Sequence, residues 1–175
     1  GGAVYGLYKT EDGGESWNLI PINADKEYPW VNTIAIDPVD PRIVYVGTDT
    51  SGICKTEDGG SSWTNLGNPH FDHTNVSILK IDPENTNNIY TICGFLYKSE
   101  NGGNSWVKTP YNGVNPLFSL LIDPVDTQTI YAGANYCGEG KIYKSMDGGD
   151  SWSLFNAGLT DTCIVHALVM GNLAT

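Results

Sequence analysis

The chain has 175 residues, 40% of them hydrophobic, which is enough for one domain with a core and excludes a disordered tail. Twenty acidic side chains against nine basic ones give a net charge of −11, and Arg42 is the only arginine. This charge argues against nucleic acid as a partner, since phosphate binding needs a basic surface. No apolar run reaches the roughly 18–20 residues that span a bilayer, so no membrane insertion is predicted.

Four copies of a nine-residue motif follow one another at intervals of about 45 residues. The motif reads Lys-Thr/Ser-x-Asp/Asn-Gly-Gly-x-Ser-Trp, and its copies occupy residues 9–17, 55–63, 98–106 and 144–152. A repeat of this length with strand-type patterning indicates the blades of a β-propeller or the turns of a β-solenoid.

Each repeat contains four short segments typical of strands, here called A to D. Strand A ends in Ile-Asp-Pro, strand B carries Ile-Tyr or Ile-Val-Tyr, strand C leads into the motif, and strand D starts at the motif tryptophan. Val, Ile, Tyr and Trp favour a pleated, half-buried surface. Asp-Pro and Gly-Gly interrupt the pattern between strands.

The two ends of the sequence complement each other. Residues 2–6 align with the end of a strand B, whereas residues 165–170 align with the strand A at 31–36. We therefore predict an all-β, four-bladed propeller of four-stranded antiparallel blades, with the first blade closed by the C-terminal strand, within one chain or between two. The predicted blades are residues 1–20 with 164–175, 30–66, 75–109 and 117–155.

The motif itself has a structural interpretation. Its acidic or amide side chain accepts hydrogen bonds within its own turn, its second glycine adopts a positive φ, and its tryptophan is buried between sheets. The residues concerned are Asp12, Trp17, Asp58, Trp63, Asn101, Trp106, Asp147 and Trp152. Because Asn101 fills the position without a charge, and calcium needs about six to eight oxygen ligands, no metal and no cofactor are predicted.

The loops opposite the motif turns carry aromatic rings among amides and carboxylates. Candidate ligand-binding residues on this loop face are Tyr28, Trp30, His70, Asp72, His73, Tyr111, Asn112 and Tyr136. Two interpretations stay open: the rings recognise a sugar or a peptide, or they plug the channel and pack between blades. No pair of carboxylates stands out as acid and base, so no catalytic residue is predicted.

The cysteines and one sequon suggest covalent features. Cys137 and Cys163 fall on the loop face and form a plausible disulfide, which leaves Cys54–Cys93 as a second pair. Asn75 begins the Asn-x-Ser sequon at residues 75–77, a candidate glycosylation site.

At these motifs the chain resembles the Asp-box (BNR) repeat propeller superfamily. The segment at residues 36–47, followed by Lys-Thr-Glu-Asp-Gly-Gly, is most similar to bacterial secreted xyloglucanase-like and sialidase-like propellers. Sialidases hold their substrate with three arginines, whereas this chain has Arg42 alone. Xyloglucan-cleaving enzymes need a cleft between two seven-bladed propellers. Sortilin-type receptors use ten blades with cysteine-rich modules, and photosystem II assembly propellers use seven blades with a basic patch, so these branches also match poorly.

The sequence therefore predicts a non-catalytic extracellular structural or interaction propeller, secreted or surface-exposed, which forms part of an assembly or fibre by strand exchange. Its expected partner is a protein, either another copy or a neighbouring subunit, or else a glycan. The alternative is a carbohydrate-binding propeller or a fragment of a xyloglucanase-like glycoside hydrolase.

Overall fold

A computed structural model describes residues 6–22, 29–67, 71, 75–111, 116–136, 139–159 and 165–170, without the side chains of 136 and 139. These residues form only β-strands, turns and loops, and no helix among them is long and apolar enough to cross a membrane. The prediction of an all-β propeller with four blades is confirmed.

Each blade is an antiparallel meander. The first has β1 (Leu7–Lys9) and β2 (Asn18–Ile20). The second has β3 (Val31–Ile36), β4 (Val44–Thr48), β5 (Ile53–Thr56) and β6 (Thr64–Asn65). The third has β7 (Ile78–Ile81), β8 (Ile89–Cys93), β9 (Phe95–Ser99) and β10 (Val107–Lys108). The fourth has β11 (Leu117–Ile122), β12 (Ile130–Tyr136), β13 (Glu139–Ser145) and β14 (Ser153–Leu154).

The inner strands lie side by side, β3 next to β7 and β7 next to β11. A glycine makes the close approach between blades possible. A Cβ on Gly47 would lie 2.5 Å from Val76 Cγ1 and 2.6 Å from Thr33 Cγ2. The second and third blades therefore pack backbone against side chain at Gly47.

The core is divided into layers between adjacent blades. Successive residues of a strand point into different layers, as expected for a pleated strand. Val46 contributes to the layer between the first and second blades, and Tyr45 to the layer between the second and third. The linker that follows strand D adds an apolar side chain to each layer, namely Ile22, Phe71 and Tyr111.

This layering contradicts the predicted Cys54–Cys93 disulfide. Both thiols are buried, and no disulfide joins them. Cys54 lies in the layer between the first and second blades, whereas Cys93 lies in the layer between the second and third. The sheet of the second blade separates the two sulfurs. Burial raises the pKa of Cys54 to about 11, which keeps it a neutral thiol at physiological pH. The Cys137–Cys163 pair lies outside the described residues.

The C-terminal segment occupies the position of a next inner strand beside the fourth blade. The Val165 Cγ1 atom would lie 2.7 Å from a Cβ on Gly133, which is the relation that Val76 has to Gly47. Ser119 Oγ donates a hydrogen bond to the Val165 carbonyl at 3.4 Å, and Phe118 contacts the His166 ring. Closure of the first blade stays a prediction, because the strand B segment that would pair with residues 165–170 lies outside the described residues.

Candidate functional site

The motif turns are built by their own side chains. In the second blade, Thr56 Oγ1 donates to Asp58 Oδ1 at 2.7 Å and accepts from the Gly60 N–H at 3.0 Å. Ser62 donates its N–H to Asp58 Oδ1 at 2.8 Å and its hydroxyl to Oδ2 at 2.6 Å. The Ser62 hydroxyl and N–H bonds hold the pKa of Asp58 well below its usual range. A carboxyl so far from protonation is unsuited to act as a general acid at neutral pH.

The other motif turns have the same arrangement. The Ser151 hydroxyl and N–H, followed by the Ser145 hydroxyl, lower the pKa of Asp147 to about 2. Asn101 accepts from the Ser105 N–H at 2.9 Å and donates its amide to Ser105 Oγ at 2.8 Å. Because the amide reproduces the carboxylate geometry, the turn uses hydrogen bonding rather than charge. Among the described residues, no group of three or more His, Cys, Asp or Glu is arranged to hold a metal ion.

The motif tryptophans differ in burial. Trp63 and Trp152 are partly buried and donate their Nε1–H to the Gly60 and Gly149 carbonyls at 3.2 and 3.0 Å. Trp106 is 8% exposed and packs edge-on against Phe71. Trp17 is 59% exposed. The first blade therefore presents to solvent a ring that the third blade buries.

Polar contacts join the second blade to the motif turn of the third, and the third blade to the motif turn of the fourth. Tyr45 donates its hydroxyl to the Gly102 carbonyl at 3.1 Å, and Tyr90 donates to the Gly148 carbonyl at 2.9 Å. Burial raises the pKa of Tyr90, so its hydroxyl stays protonated and remains a donor. Lys98 Nζ lies 3.6 Å from Asp150 of the following blade. We call this set of contacts the joint.

The fourth blade carries the donor half of a further joint. Tyr131 occupies the position of Tyr45 and Tyr90 on strand B, but its ring lies against Phe155 of its own blade, with centroids 5.9 Å apart. Lys144 occupies the position of Lys98, and its Nζ lies 5.4 Å from the Tyr131 centroid. We define the fourth-blade face as Tyr131, Lys144 and Phe155.

The first blade carries the acceptor half of such a joint. Tyr8 occupies the position of Tyr97, yet it is 44% exposed where Tyr97 is 6% exposed. Glu15 occupies the position of Asp150 and is exposed. We define the first-blade face as Tyr8, Glu15 and Trp17. Sequence reasoning missed both faces as functional surfaces, although the position of each residue within the repeat was a signal that could have found them.

On the loop face, Trp30 is held in place by its backbone. Its N–H donates to Asp49 Oδ1 at 3.2 Å, and its carbonyl accepts from the Asp49 N–H at 3.1 Å. The side chain is 55% exposed. Two residues further along the chain, Asn32 Nδ2 of β3 donates to Asn75 Oδ1 at 3.2 Å, and Asn75 belongs to the segment that leads into β7 of the third blade. Trp30, Asn32, Asp49 and Asn75 form what we call the Trp30 patch.

Of the other predicted ligand-binding residues, the structure describes Tyr111 and the backbone of Tyr136. Tyr111 does not lie on an open surface, since its ring packs edge-on against Tyr143 and Trp152 and its hydroxyl is buried. This packing favours the interpretation of the Tyr111 ring as one that lies between blades, because the linker carries it against the core layer of the third and fourth blades. The backbone of Tyr136 ends β12. The remaining candidates lie outside the described residues, namely Tyr28, His70, Asp72, His73 and Asn112.

The family model described as "Photosynthesis system II assembly factor YCF48" matches residues 2–119. A comparison with curated protein sequences finds no match. Among solved structures, an ancestral GH74 enzyme is 25% identical with a TM-score of 0.68, over 85% of this chain and 21% of that one. The GH74 enzyme of Niastella koreensis is 19% identical with a TM-score of 0.69, over 86% and 26%. YCF48 bound to D1 peptide is 16% identical with a TM-score of 0.52, over 77% and 44%.

This chain thus spans about a fifth to a quarter of the two GH74 structures. The similarity to the Niastella and YCF48 structures concerns the fold alone. The match to the assembly-factor model corrects the expectation that photosystem II assembly propellers match this chain poorly. Neither the acidic charge nor the lack of a basic patch separates this sequence from that branch.

Proposed function

The chain belongs to the family described as photosynthesis system II assembly factor YCF48, and from this membership we propose that it is a non-catalytic interaction propeller that binds further copies of itself. The observation that carries the proposal is the complementarity of the fourth-blade and first-blade faces. Each face holds one half of a joint that the molecule already forms between its own blades. The YCF48 structure to which the chain is similar has a bound peptide, which supports a protein partner.

The internal joints indicate how the two faces would meet. The contact of Tyr90 with the Gly148 carbonyl is the template for Tyr131 and the Gly13 carbonyl of the next copy. The pair of Lys98 and Asp150 is the template for Lys144 and Glu15. Burial of Trp17 and Tyr8 would add the apolar part, as Trp106 and Tyr97 do in the third blade. Such a head-to-tail contact produces a closed ring or a filament.

A charge exchange tests this contact. We expect Lys144→Glu to weaken self-association about tenfold or more, because it sets two acids against each other across a desolvated interface. Adding Glu15→Lys should restore most of the lost affinity in the double variant. Sedimentation velocity over a range of concentrations measures both effects.

The matched control is Glu84→Lys, which makes the charge change of Glu15→Lys at an exposed turn between the β7 and β8 strands. It should leave the association unchanged. If the double variant associates no better than Lys144→Glu alone, Lys144 and Glu15 do not form a pair between copies.

A second candidate function is glycan binding at the Trp30 patch, or a share in a larger glycoside hydrolase. The observation that favours it is the exposed indole of Trp30, whose backbone is fixed by Asp49 and which lies two residues before Asn32, itself hydrogen-bonded to Asn75. Aromatic rings, amides and carboxylates are the groups that stack on and orient a sugar ring. The similarity to an ancestral GH74 enzyme supports the same class of ligand. A secreted or surface location would suit either function and remains a proposal.

Calorimetric titration with a xyloglucan oligosaccharide tests the second candidate. We expect saturable binding that Trp30→Ala weakens about tenfold or more, since stacking on an aromatic residue contributes much of the energy at such a site. Trp17→Ala, at a ring exposed to a similar extent, should leave glycan binding unchanged. The absence of saturable heat would reject glycan binding at this patch, whereas hydrolysis of the glucan would reject the non-catalytic proposal.

A further inference from the structure

Two of the spaces between adjacent blades hold a tyrosine ring at the same place. Tyr45 Cε1 would lie 3.5 Å from a Cβ on Gly103, and Tyr90 Cε1 would lie 3.4 Å from a Cβ on Gly149. Each ring also donates its hydroxyl to the carbonyl of the glycine just before, at 3.1 and 2.9 Å. The second and third blades therefore each set a strand B tyrosine against the motif turn of the next blade.

The space between the first and second blades has no such ring beside its motif glycines. The atoms nearest to a Cβ on Gly60 belong to Ile20 and Trp63, at 3.7 to 3.9 Å. Gly59 and Gly60 are partly exposed, whereas the equivalent glycines of the third and fourth repeats are buried. The surface that a tyrosine covers in the other two spaces is therefore accessible here.

The polar partners of the missing tyrosine are in place. The Gly59 carbonyl accepts from Lys9 Nζ at 3.2 Å, and a carbonyl oxygen has a second lone pair for a hydroxyl donor. Lys9 keeps the position that lysine has in the next repeat, where Lys55 Nζ lies 5.4 Å from the Tyr45 ring centroid. A ring beside Gly60 would thus have both an ammonium group and a carbonyl oxygen within reach, as Tyr45 has.

The space itself is an apolar groove of about 360 Å³, lined by Leu7, Ile36 and Val44 among others. This volume lies within the roughly 300–1,000 Å³ of small-molecule pockets. Ile36 is 58% exposed, whereas Ile122 at the same position of the fourth blade is 9% exposed and shares a core layer with Tyr90. The groove therefore exposes an apolar residue that the repeat elsewhere buries in the layer of the tyrosine.

The β1 strand offers the backbone route into this groove. In the third blade the tyrosine is carried on a strand that pairs antiparallel with strand C, with Tyr90 opposite Lys98. Among the described residues, β1 pairs with β2 alone. Residues 2–6 align with 90–94, which sets Gly2 at the position of Tyr90. An extended segment that adds to the edge of a sheet can supply both the missing pairing and the missing side chain.

We propose that the groove between the first and second blades binds a tyrosine side chain, which a partner protein presents on an extended segment added to the edge of β1. The ring packs on Ile36 and Trp63, and its hydroxyl donates to the Gly59 carbonyl. The internal contacts of Tyr45 and Tyr90 are the templates for this binding. The site does not use the fourth-blade face, so it does not depend on the self-association proposed above.

Calorimetric titration of the full chain with a capped peptide of residues 41–48 tests the site. This peptide carries Tyr45 and has the sequence that the second blade sets in the corresponding space. We expect saturable binding. The Tyr45→Phe peptide should bind severalfold more weakly because it lacks the hydroxyl. The Tyr45→Ala peptide should bind about tenfold more weakly or less, because the buried ring is lost.

A change in the protein tests the same contact from the other side. Ile36→Glu should weaken binding of the tyrosine peptide about tenfold or more, because it sets a carboxylate against the apolar ring. Val125→Glu is the matched control, since it adds a carboxylate at a position that is 82% exposed in the fourth blade. It should leave peptide binding unchanged. The peptide variants decide the question if Ile36→Glu does not fold.

Three results would overturn the proposal. The absence of saturable heat would mean that the chain fills its own groove or that the groove binds no tyrosine. Equal affinity for the tyrosine and alanine peptides, or for the unaltered protein and Ile36→Glu, would mean that the peptide binds elsewhere. Dissociation of self-associated copies by the peptide, followed by sedimentation velocity, would mean that another copy occupies the groove instead of a partner.

Discussion

Trp106→Ala should destabilise the protein by about 3–5 kcal/mol, the range for removing a large aromatic side chain from a core. The ring is 8% exposed and contacts Phe71, with centroids 5.4 Å apart. It belongs to the layer that joins the second and third blades, so its loss leaves a cavity between two sheets. Since domains of this kind are stable by only about 5–15 kcal/mol, the change removes a large part of the total.

Urea denaturation followed by far-ultraviolet circular dichroism measures this loss. Trp30→Ala is the matched control, because it removes the same side chain at a position that is 55% exposed. The control should change the free energy of unfolding by less than about 1 kcal/mol. Equal losses in the two variants would mean that the motif tryptophan does not hold adjacent blades together.

Gly47→Ala should cost about 1–3 kcal/mol through overpacking. The added methyl would lie 2.5 Å from Val76 Cγ1 and 2.6 Å from Thr33 Cγ2, so β4 must move away from β3 and from the segment that leads into β7. Thermal unfolding measures the effect. Gly67→Ala is the control, since a Cβ at that position meets no atom within 4 Å among the described residues.

A second change tests the mechanism of this loss. Val76→Ala should cost less stability in the Gly47→Ala background than in the unaltered protein, because it relieves the contact that the alanine introduces. Strictly additive losses would show that the second and third blades do not meet at these two residues.

The fold could be predicted from sequence because the motif turn is a local structure. Thr56, Asp58 and Gly60 lie within five positions of one another and determine their turn without help from distant residues. Each copy marks one blade, and the strands between copies follow from the period. The family resemblance came from the same residues.

Contacts between blades could not be predicted in this way. Cys54 and Cys93 occupy strands whose position in the repeat is clear, but the layer into which each side chain points depends on the pleat and on the packing of neighbouring sheets. Tyr111 and Ile22 both follow a motif tryptophan by five residues and enter a core layer. Phe71 does the same after a longer linker, which hides the pattern.

The repeat aligns the residues of the two faces with those of the internal joints, but the contacts of the internal joints had to be known before that alignment had a meaning. Lys144 and Glu15 look like ordinary surface charges in the sequence. They become a pair of interest because Lys98 and Asp150, at the same two positions, meet across adjacent blades.

The most direct test of the central proposal is the mass of the native particle, measured by small-angle scattering on the unaltered protein over a range of concentrations. Docking of the fourth-blade face on the first-blade face predicts particles of two or more chains, which dissociate in the Lys144→Glu variant. A particle with the mass of one chain at every concentration would contradict the proposal.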